Sequence, residues 1–325
     1  MNTLVAFIRL IRPLNLLIVV FTMYAMRWGV LHAMLVHEGQ RLPFHFSELH
    51  FALTVLVVVL VAAAGNMIND YFDLKVDRVN KPERVIVGRS VKRRVVMVAH
   101  HGFNIVATAL AAYVGWKNGL PEAVWLPVIM AALLWFYSLL FKKRVWIGNF
   151  LVAIMVAIVP LWAGVFEIPQ LGAEITRLGG DGTRFAFHSW RWIFGFAGFA
   201  FWTTLIREIQ KDIEDQKGDE QAGYKTIPIV WGRRGAGNYL NLLFGILFAA
   251  LLISTWEISR QLSDSALETV FFAMVGAGIG LPAGLSWYLT LTATSRADYG
   301  RASRWSKLTM AGGILIGACM PFWYI

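Results

Sequence analysis

Cysteine and charge are what this chain has least of. Its one cysteine, Cys319, has no partner in the chain, which excludes an internal disulfide; it reads as a small core residue of the last apolar segment. Only 15% of the 325 residues are charged, while 57% are hydrophobic and the mean hydropathy is +0.57. Soluble domains carry about 25% charged residues, so composition excludes an ordinary soluble domain and indicates an integral membrane protein. A cleavable leader pattern is also missing: the first apolar run begins at Leu14, is too long for a leader core and lacks a small-residue cleavage site. It reads as the first spanning helix. The seven histidines are scattered, and His100–His101 is no metal-ligand spacing, so they read as surface or interface residues.

What is abundant is apolar sequence in membrane-sized pieces. Nine segments, at approximately 14–36, 49–69, 95–115, 121–141, 146–166, 190–207, 236–256, 267–292 and 306–324, are each near the ~20 residues that cross a bilayer. The expectation is an all-α bundle of about nine transmembrane helices forming a single domain over 1–325, with the N-terminus cytoplasmic. On that topology all but seven of the 30 Lys and Arg fall on the cytoplasmic side, the exceptions being Arg27, Arg41, Lys117, Arg177, Arg184, Arg191 and Arg260. The excess of 30 bases over 20 acids is therefore topological, and no nucleic-acid partner is needed to explain it. The cell's inner (cytoplasmic) membrane is the expected location. Arg27 reads as a residue that snorkels outward. Gly276, Gly278 and Gly280 lie inside an apolar helix, where they imply close helix packing and no dinucleotide loop. The glycine-rich stretch at about 167–189 reads as a flexible external loop.

The acids that remain are concentrated. Asp70, Asp73 and Asp77 recur in spacing as Asp212, Asp215 and Asp219, with gaps of three and then four that put each triplet on one helix face. Both groups sit where an apolar segment leaves the membrane. Stability opposes this, since like charges at i,i+4 repel by roughly 0.2–0.5 kcal/mol and an intramembrane Asp costs about 2.5–3.5 kcal/mol. A bound cation answers that cost. Glu83, Glu214 and Glu220, by contrast, read as solvated loop charges.

The first triplet lies beside Lys75, Lys81 and Arg84, the second beside Arg207, Lys211 and Lys225, and both loops are expected on the cytoplasmic side around one cavity. Carboxylates mixed with fixed cations suit a metal ion together with a polyanion, and Mg²⁺ is commonly held by a few carboxylates plus substrate phosphates. With an apolar, aromatic wall behind it, the site fits a diphosphate on a hydrocarbon chain, such as an allylic prenyl diphosphate. Tyr71, Phe72, Tyr137, Phe141 and Tyr224 are rings that could face the cation left when diphosphate departs. A divalent-cation transporter is the competing class, although the flanking bases would repel a travelling cation. A non-catalytic lipid-binding scaffold would need no paired metal site. Asn66 and Asn149 admit a second reading, as interhelical hydrogen-bonding residues.

Asn66–Asp77, Arg207–Asp219 and GYKTIPI at Gly223–Ile229 resemble the UbiA superfamily of intramembrane prenyltransferases, a nine-helix family, over essentially the whole chain. The resemblance implies that Asn69, Asp73, Asp77, Asp212, Asp215 and Asp219 bind Mg²⁺ and that the six aspartates form the catalytic group, Asp70 completing NDxxD. It implies a diphosphate-binding role for Asn66, Lys81, Arg84, Tyr137, Lys142, Arg207, Lys211 and Lys225, and places Asn15 of RPLN in the cavity wall. NDYFDLKVDRVNKPERV and REIQKDIEDQKGDEQAGYKTIPIVWG are similar to the digeranylgeranylglyceryl phosphate synthase-like branch. That implies transfer of a geranylgeranyl group to a lipid acceptor, geranylgeranylglyceryl phosphate. Prenylation of an aromatic acceptor in quinone synthesis is the alternative.

Overall fold

A computed structural model describes residues 2–324 except Gln261, Ser263 and Asp264, with the backbone alone at Ser265. In chain order the helices are α1 (Thr3–Leu10), α2 (Pro13–Tyr24), α3 (His32–His37), α4 (Glu48–Phe72), α5 (Leu74–Asn80), α6 (Arg93–Lys117), α7 (Trp125–Leu139) and α8 (Ile147–Val165). They continue as α9 (Ile168–Arg177), α10 (Gly182–Gln221), α11 (Ile227–Val230), α12 (Gly232–Ser259), α13 (Ser265–Val275), α14 (Leu281–Leu291), α15 (Arg296–Ala318) and α16 (Met320–Trp323). Among the described residues there is no strand, only an isolated bridge between Val87 and Val91.

Among the described residues, seven helical stretches are long and apolar enough to cross a membrane: Pro13–His37, Glu48–Phe72, Arg93–Lys117, Pro121–Leu139, Ile147–Arg177, Gly232–Ser259 and Ala266–Leu291. They coincide with seven of the nine expected segments. The other two are largely helical: 190–207 lies in α10, and 306–324 runs from α15 into α16, with polar residues sharing α10 and α15 with the apolar ones. The protein is an all-α integral membrane protein.

The chain divides into two compact units. The first comprises Met1–Phe21, Phe44–Leu151 and Lys217–Lys225. Within it α4 packs against α6 and α7, and Gly65 lets Leu134 of α7 close on α4, since a Cβ there would stand 2.9 Å from the Leu134 methyls. Ala6, Leu10, Ala64, Met67, Val87, Val91 and Val96 form a buried cluster that ties α1 to α4 and the start of α6. His100 is no surface residue: it is buried on α6, with Nδ1 3.0 Å from the Ala64 carbonyl and its ring against Trp135. A helix interior offers few free carbonyls, and capturing this one satisfies a buried polar ring.

The second unit comprises Thr22–Pro43, Val152–Gln216 and Thr226–Ile325. Here the stretch expected to be a flexible loop at 167–189 is mostly helix. Ile168, Leu171, Gly172 and Ile175 recur at helical spacing and are buried on α9, which closes through a turn at Gly179 (φ +87°) before α10 begins at Gly182. A Cβ on Gly182 would lie 1.9 Å from the Gly172 carbonyl oxygen, so these glycines serve contact rather than freedom. The GAGIG run packs as expected: a Cβ on Gly312 of α15 would lie 1.7 Å from the Gly278 oxygen. Cys319 is half-buried rather than fully inside.

Arg27 does not snorkel. It lies in a π-helical stretch, Ala25–Leu31, fully buried, and pairs with the equally buried Glu167 between α8 and α9. Removing one member of such a pair strands a charge, at about 3–5 kcal/mol, whereas replacing both with apolar residues is often neutral. Arg27→Met should therefore lower the unfolding free energy in detergent by about 3 kcal/mol, and Arg27→Met with Glu167→Leu should recover most of it. Additive losses in the double variant would show that the pair is not coupled.

Candidate active site

The first acid motif begins where α4 ends. The backbone amides of Asp73, Asp77 and Lys81 bond the carbonyls of Asn69, Asp73 and Asp77, at 2.9, 2.9 and 2.8 Å. The i→i−4 ladder thus carries through the join to α5, and Asn69, Asp73, Asp77 and Lys81 rise one turn apart along one face. Asn69 Nδ2 donates to Asp73 Oδ2 at 2.8 Å. Lys142, in the 3₁₀ turn Phe141–Lys143 after α7, donates to the same Asp73 oxygen and, at 3.4 Å, to Asn69 Oδ1. Asp70 pairs with Arg12, which holds left-handed backbone (φ 56°) between α1 and α2. Asn66 donates to the Ile11 carbonyl at 2.9 Å, an interhelical bond that fastens the same turn.

The C-terminal end of α10 enters this cluster within the first unit. The Gly218 amide donates to Asn80 Oδ1 at 2.9 Å, and a Cβ on Gly218 would stand 2.5 Å from Asn80 Nδ2, so only glycine permits the approach. Asp219 is buried. After a left-handed turn at Gly223, the Tyr224 amide returns to the Asp219 carbonyl at 2.8 Å and the Lys225 amide to the Lys143 carbonyl at 3.0 Å. Tyr224 is buried with the Lys143 ammonium 5.7 Å from its ring centre.

Electrostatics record the crowding. Burial and the charges of Asp73 and Asp70 push the Asp77 carboxyl up to about 6. Burial, Asp73, Asp219 and Asp77 push the Tyr224 phenol up to about 12, so members of both motifs act on one hydroxyl, which stays protonated. Burial opposes the Lys142 ammonium, but Asp73 outweighs it and keeps that lysine charged well above its ordinary range.

Of the remaining candidates, Tyr137 is half-buried on α7 and Lys81 half-buried at the end of α5. Arg84 is exposed against Glu83 at 3.5 Å, and the Lys225 side chain is exposed. One face of Tyr71 is taken by the Arg93 guanidinium, 4.5 Å away. In the second unit Asp212 and Asp215 are half-buried on α10, the same uninterrupted helix that ends beyond Asp219, so the second triplet lies on a helix and not in a loop. Arg207 and Lys211 converge on Glu208, at 2.8 Å and 3.1 Å. Sequence reasoning missed Arg12, Asn80 and Glu208. Only Glu208 carried a signal, its spacing of four before Asp212.

Among the described residues, no three His, Cys, Asp or Glu side chains gather round one point as a metal requires. Asp70 and Asp73 are held by the chain's own cations, Arg12 and Lys142. The cluster nevertheless fits a metal ion: Asp73 Oδ1 is a buried oxygen with no hydrogen-bond partner, one turn from the crowded Asp77.

A helical membrane protein with acids, bases and a protonated phenol gathered at the ends of its apolar helices belongs among intramembrane enzymes that handle a charged group on a lipid. The UbiA prenyltransferase family model matches residues 26–308, and the chain belongs to that family; it is a prenyltransferase. It is 32% identical over 243 residues to a digeranylgeranylglyceryl phosphate synthase of Pyrococcus abyssi, covering 74% of each chain. With the synthase of Methanothermobacter thermautotrophicus it shares 29% identity over 309 residues, 94% of this chain and 92% of the other. A solved structure from work on digeranylgeranylglyceryl phosphate synthase in membranes shares the fold at TM-score 0.56 and 22% identity, covering 98% of this chain and 99% of that one. A UbiA homologue from Archaeoglobus fulgidus bound to GPP and Mg²⁺ shares it at TM-score 0.55 and 16% identity, covering 96% and 99%.

Because the folded value of Asp77 lies above the free carboxylate value, its charge destabilises the metal-free protein above pH 6, and the penalty is relieved as the pH falls towards 4. In EDTA near neutral pH, Asp77→Asn should raise stability by about 1 kcal/mol, after discounting for partial exposure. The gain over wild type in thermal melts should shrink as the pH drops through 6. A loss of stability at neutral pH would refute the crowding.

Proposed function

We propose that this protein transfers a geranylgeranyl group from its diphosphate to the hydroxyl of geranylgeranylglyceryl phosphate, in a Mg²⁺-dependent reaction on the cytoplasmic side of the cytoplasmic membrane. The observation that carries the reading is the Asn69–Asp73–Lys142 group: a buried carboxylate with one oxygen unpaired, beside a lysine held protonated. The names of the two archaeal relatives support the acceptor, and the loop bases Lys142, Lys143 and Arg144 support the side.

On this reading Asn69, Asp73 and Asp77 hold one Mg²⁺, and the helix bearing Asp212, Asp215 and Asp219 holds a second. When bound, magnesium neutralises diphosphate oxygens and makes the group a better leaving group. Asn69 fixes the rotamer of Asp73 by donating to Oδ2, which leaves Oδ1 for a cation. Lys142 shifts from Asp73 to a phosphate oxygen, exchanging one anion for another. Lys81 supplies further positive charge to the diphosphate, and Arg84 and Lys225 do so from the exposed rim, while Arg207 and Lys211 neutralise Glu208 beside the second acid group. The Tyr224 hydroxyl remains a donor throughout the physiological range. Transfer breaks the bond between the allylic carbon and the diphosphate oxygen and forms an ether bond to the acceptor oxygen. The hydroxyl proton leaves with the released diphosphate.

The test is transfer by purified protein in detergent, with labelled geranylgeranyl diphosphate and with geranylgeranylglyceryl phosphate and 4-hydroxybenzoate offered in parallel. Label should enter a diether lipid, EDTA should stop the reaction and Mg²⁺ restore it. Asp73→Ala and Asp215→Ala should each lower turnover at least about 10²-fold while the protein stays folded. Full activity in both variants would refute the metal-site assignment, and label on the aromatic acid would refute the lipid acceptor.

A further inference from the structure

The second unit contains a closed polar network that the proposed chemistry does not use. Gln210 of α10 is fully buried. Its Nε2 donates to Ser286 Oγ and Thr290 Oγ1 of α14, both at 3.0 Å, and its Oε1 accepts from Ser306 Oγ of α15 at 2.8 Å. Ser286 Oγ reaches Ser306 Oγ at 2.8 Å and donates to the Ala302 carbonyl at 2.9 Å, while Thr290 Oγ1 donates to the Ser286 carbonyl at 2.8 Å. Both amide hydrogens and the amide oxygen of Gln210 are thereby engaged. One side chain fastens α10 to two other helices.

Its place on the helix gives the network meaning. At about 100° per residue, Glu208, Asp212, Asp215 and Asp219 all project within about 40° of the direction opposite Gln210. The clamp grips the back of α10 at the level where the front becomes acidic. A purely apolar interface would tolerate a small rotation or slide of α10, because dispersion contacts are non-directional. Three directed hydrogen bonds from one amide do not tolerate it, and buried polar networks of this kind specify a single arrangement at no gain over an apolar core. A rotation of even ~20° would move carboxylate oxygens by more than the ~0.5 Å to which a binding constellation must be held.

We propose that Gln210 is a positioning residue: through Ser286, Thr290 and Ser306 it sets the rotation and register of α10, and with them the metal–diphosphate affinity of the acidic face. This rests on the function proposed above. Gln210→Met keeps the side chain's length and removes its hydrogen bonds, leaving the three hydroxyls only their bonds to one another and to the Ala302 and Ser286 carbonyls, against an apolar side chain. The variant Gln210→Met, Ser286→Ala, Thr290→Val, Ser306→Ala removes the whole network and strands none, so it should regain wild-type thermal stability.

The measurement is the thermal shift produced by Mg²⁺ with inorganic pyrophosphate on the detergent-purified chain. The network-free variant should need at least five times the wild-type concentration for half the shift, even though its ligand-free melt matches wild type. Ser306→Ala, which removes the bonds to Gln210 Oε1 and Ser286 Oγ and leaves the two Gln210 Nε2 bonds in place, should fall between them and serves where Gln210→Met does not fold. Half-saturation equal to wild type in the network-free variant would overturn the positioning role and leave the network as packing. No magnesium–pyrophosphate shift in the wild type would overturn instead the functional reading on which the inference rests.

Discussion

A carboxylate in an apolar, membrane-embedded protein must have a cation beside it, and the arrangement of this molecule follows from that requirement. Two unit charges about 4 Å apart attract by about 4 kcal/mol at an effective dielectric of 20, enough to offset much of the cost of bringing each away from water. Asp70 has Arg12, Asp73 has Lys142, Glu167 has Arg27, and Glu208 has Arg207 and Lys211. Three of these pairings join residues far apart in sequence, so satisfying each charge also fixes one helix against another.

The pairings divide into two kinds. Arg27 and Glu167 are both fully buried, and their ion pair is shut away from water. At the acid motif the partners remain partly accessible, with Lys142 and Arg12 side chains 29% and 40% exposed against 5% and 19% for Asp73 and Asp70. The carboxylates are enclosed and the cations reachable. An arriving anion therefore meets the bases first, and a cation is needed to take up the acids they release. The unpaired Asp73 oxygen and the elevated Asp77 carboxyl are the places where internal compensation is incomplete. Residual cost of this sort is what binding sites carry and structural ion pairs do not.

How much of this was legible in sequence depended on how local each signal was. The helical spacing of the two aspartate triplets and the membrane-sized apolar segments are local signals; the triplets keep that spacing on helical backbone, and seven of the nine segments are long and apolar enough to span among the described residues. Lys142 was ambiguous because a basic residue after a spanning helix serves topology equally well; its contact with Asn69 and Asp73, some 70 residues back, adds a pairing with the acid motif that no local signal carried. Arg27 was misread for the same reason, its partner lying 140 residues away. Gly172 and Gly182 were misread because glycine supports both a flexible loop and the closest helix contact, and composition does not distinguish them. His100 looked like a surface residue until the Ala64 carbonyl was found beside it.

The same charge logic constrains how the proposed substrate would bind. A bare diphosphate approaching Asp70, Asp73 and Asp77 would be repelled by three carboxylates that Arg12 and Lys142 only partly neutralise. A bare magnesium ion would have to displace two fixed cations from those acids while keeping its reluctantly shed water. Together the two ligands are nearly neutral, and each would occupy what the other releases: Lys142 and Arg12 would turn to phosphate oxygens, and the freed carboxylates would be available to hold the metal. The exchange keeps the number of close opposite-charge contacts roughly constant, so little electrostatic energy is lost in dismantling the ligand-free ion pairs. On this argument metal and diphosphate would bind with strong mutual dependence, and the pairs seen in the ligand-free protein would give way only when both are present.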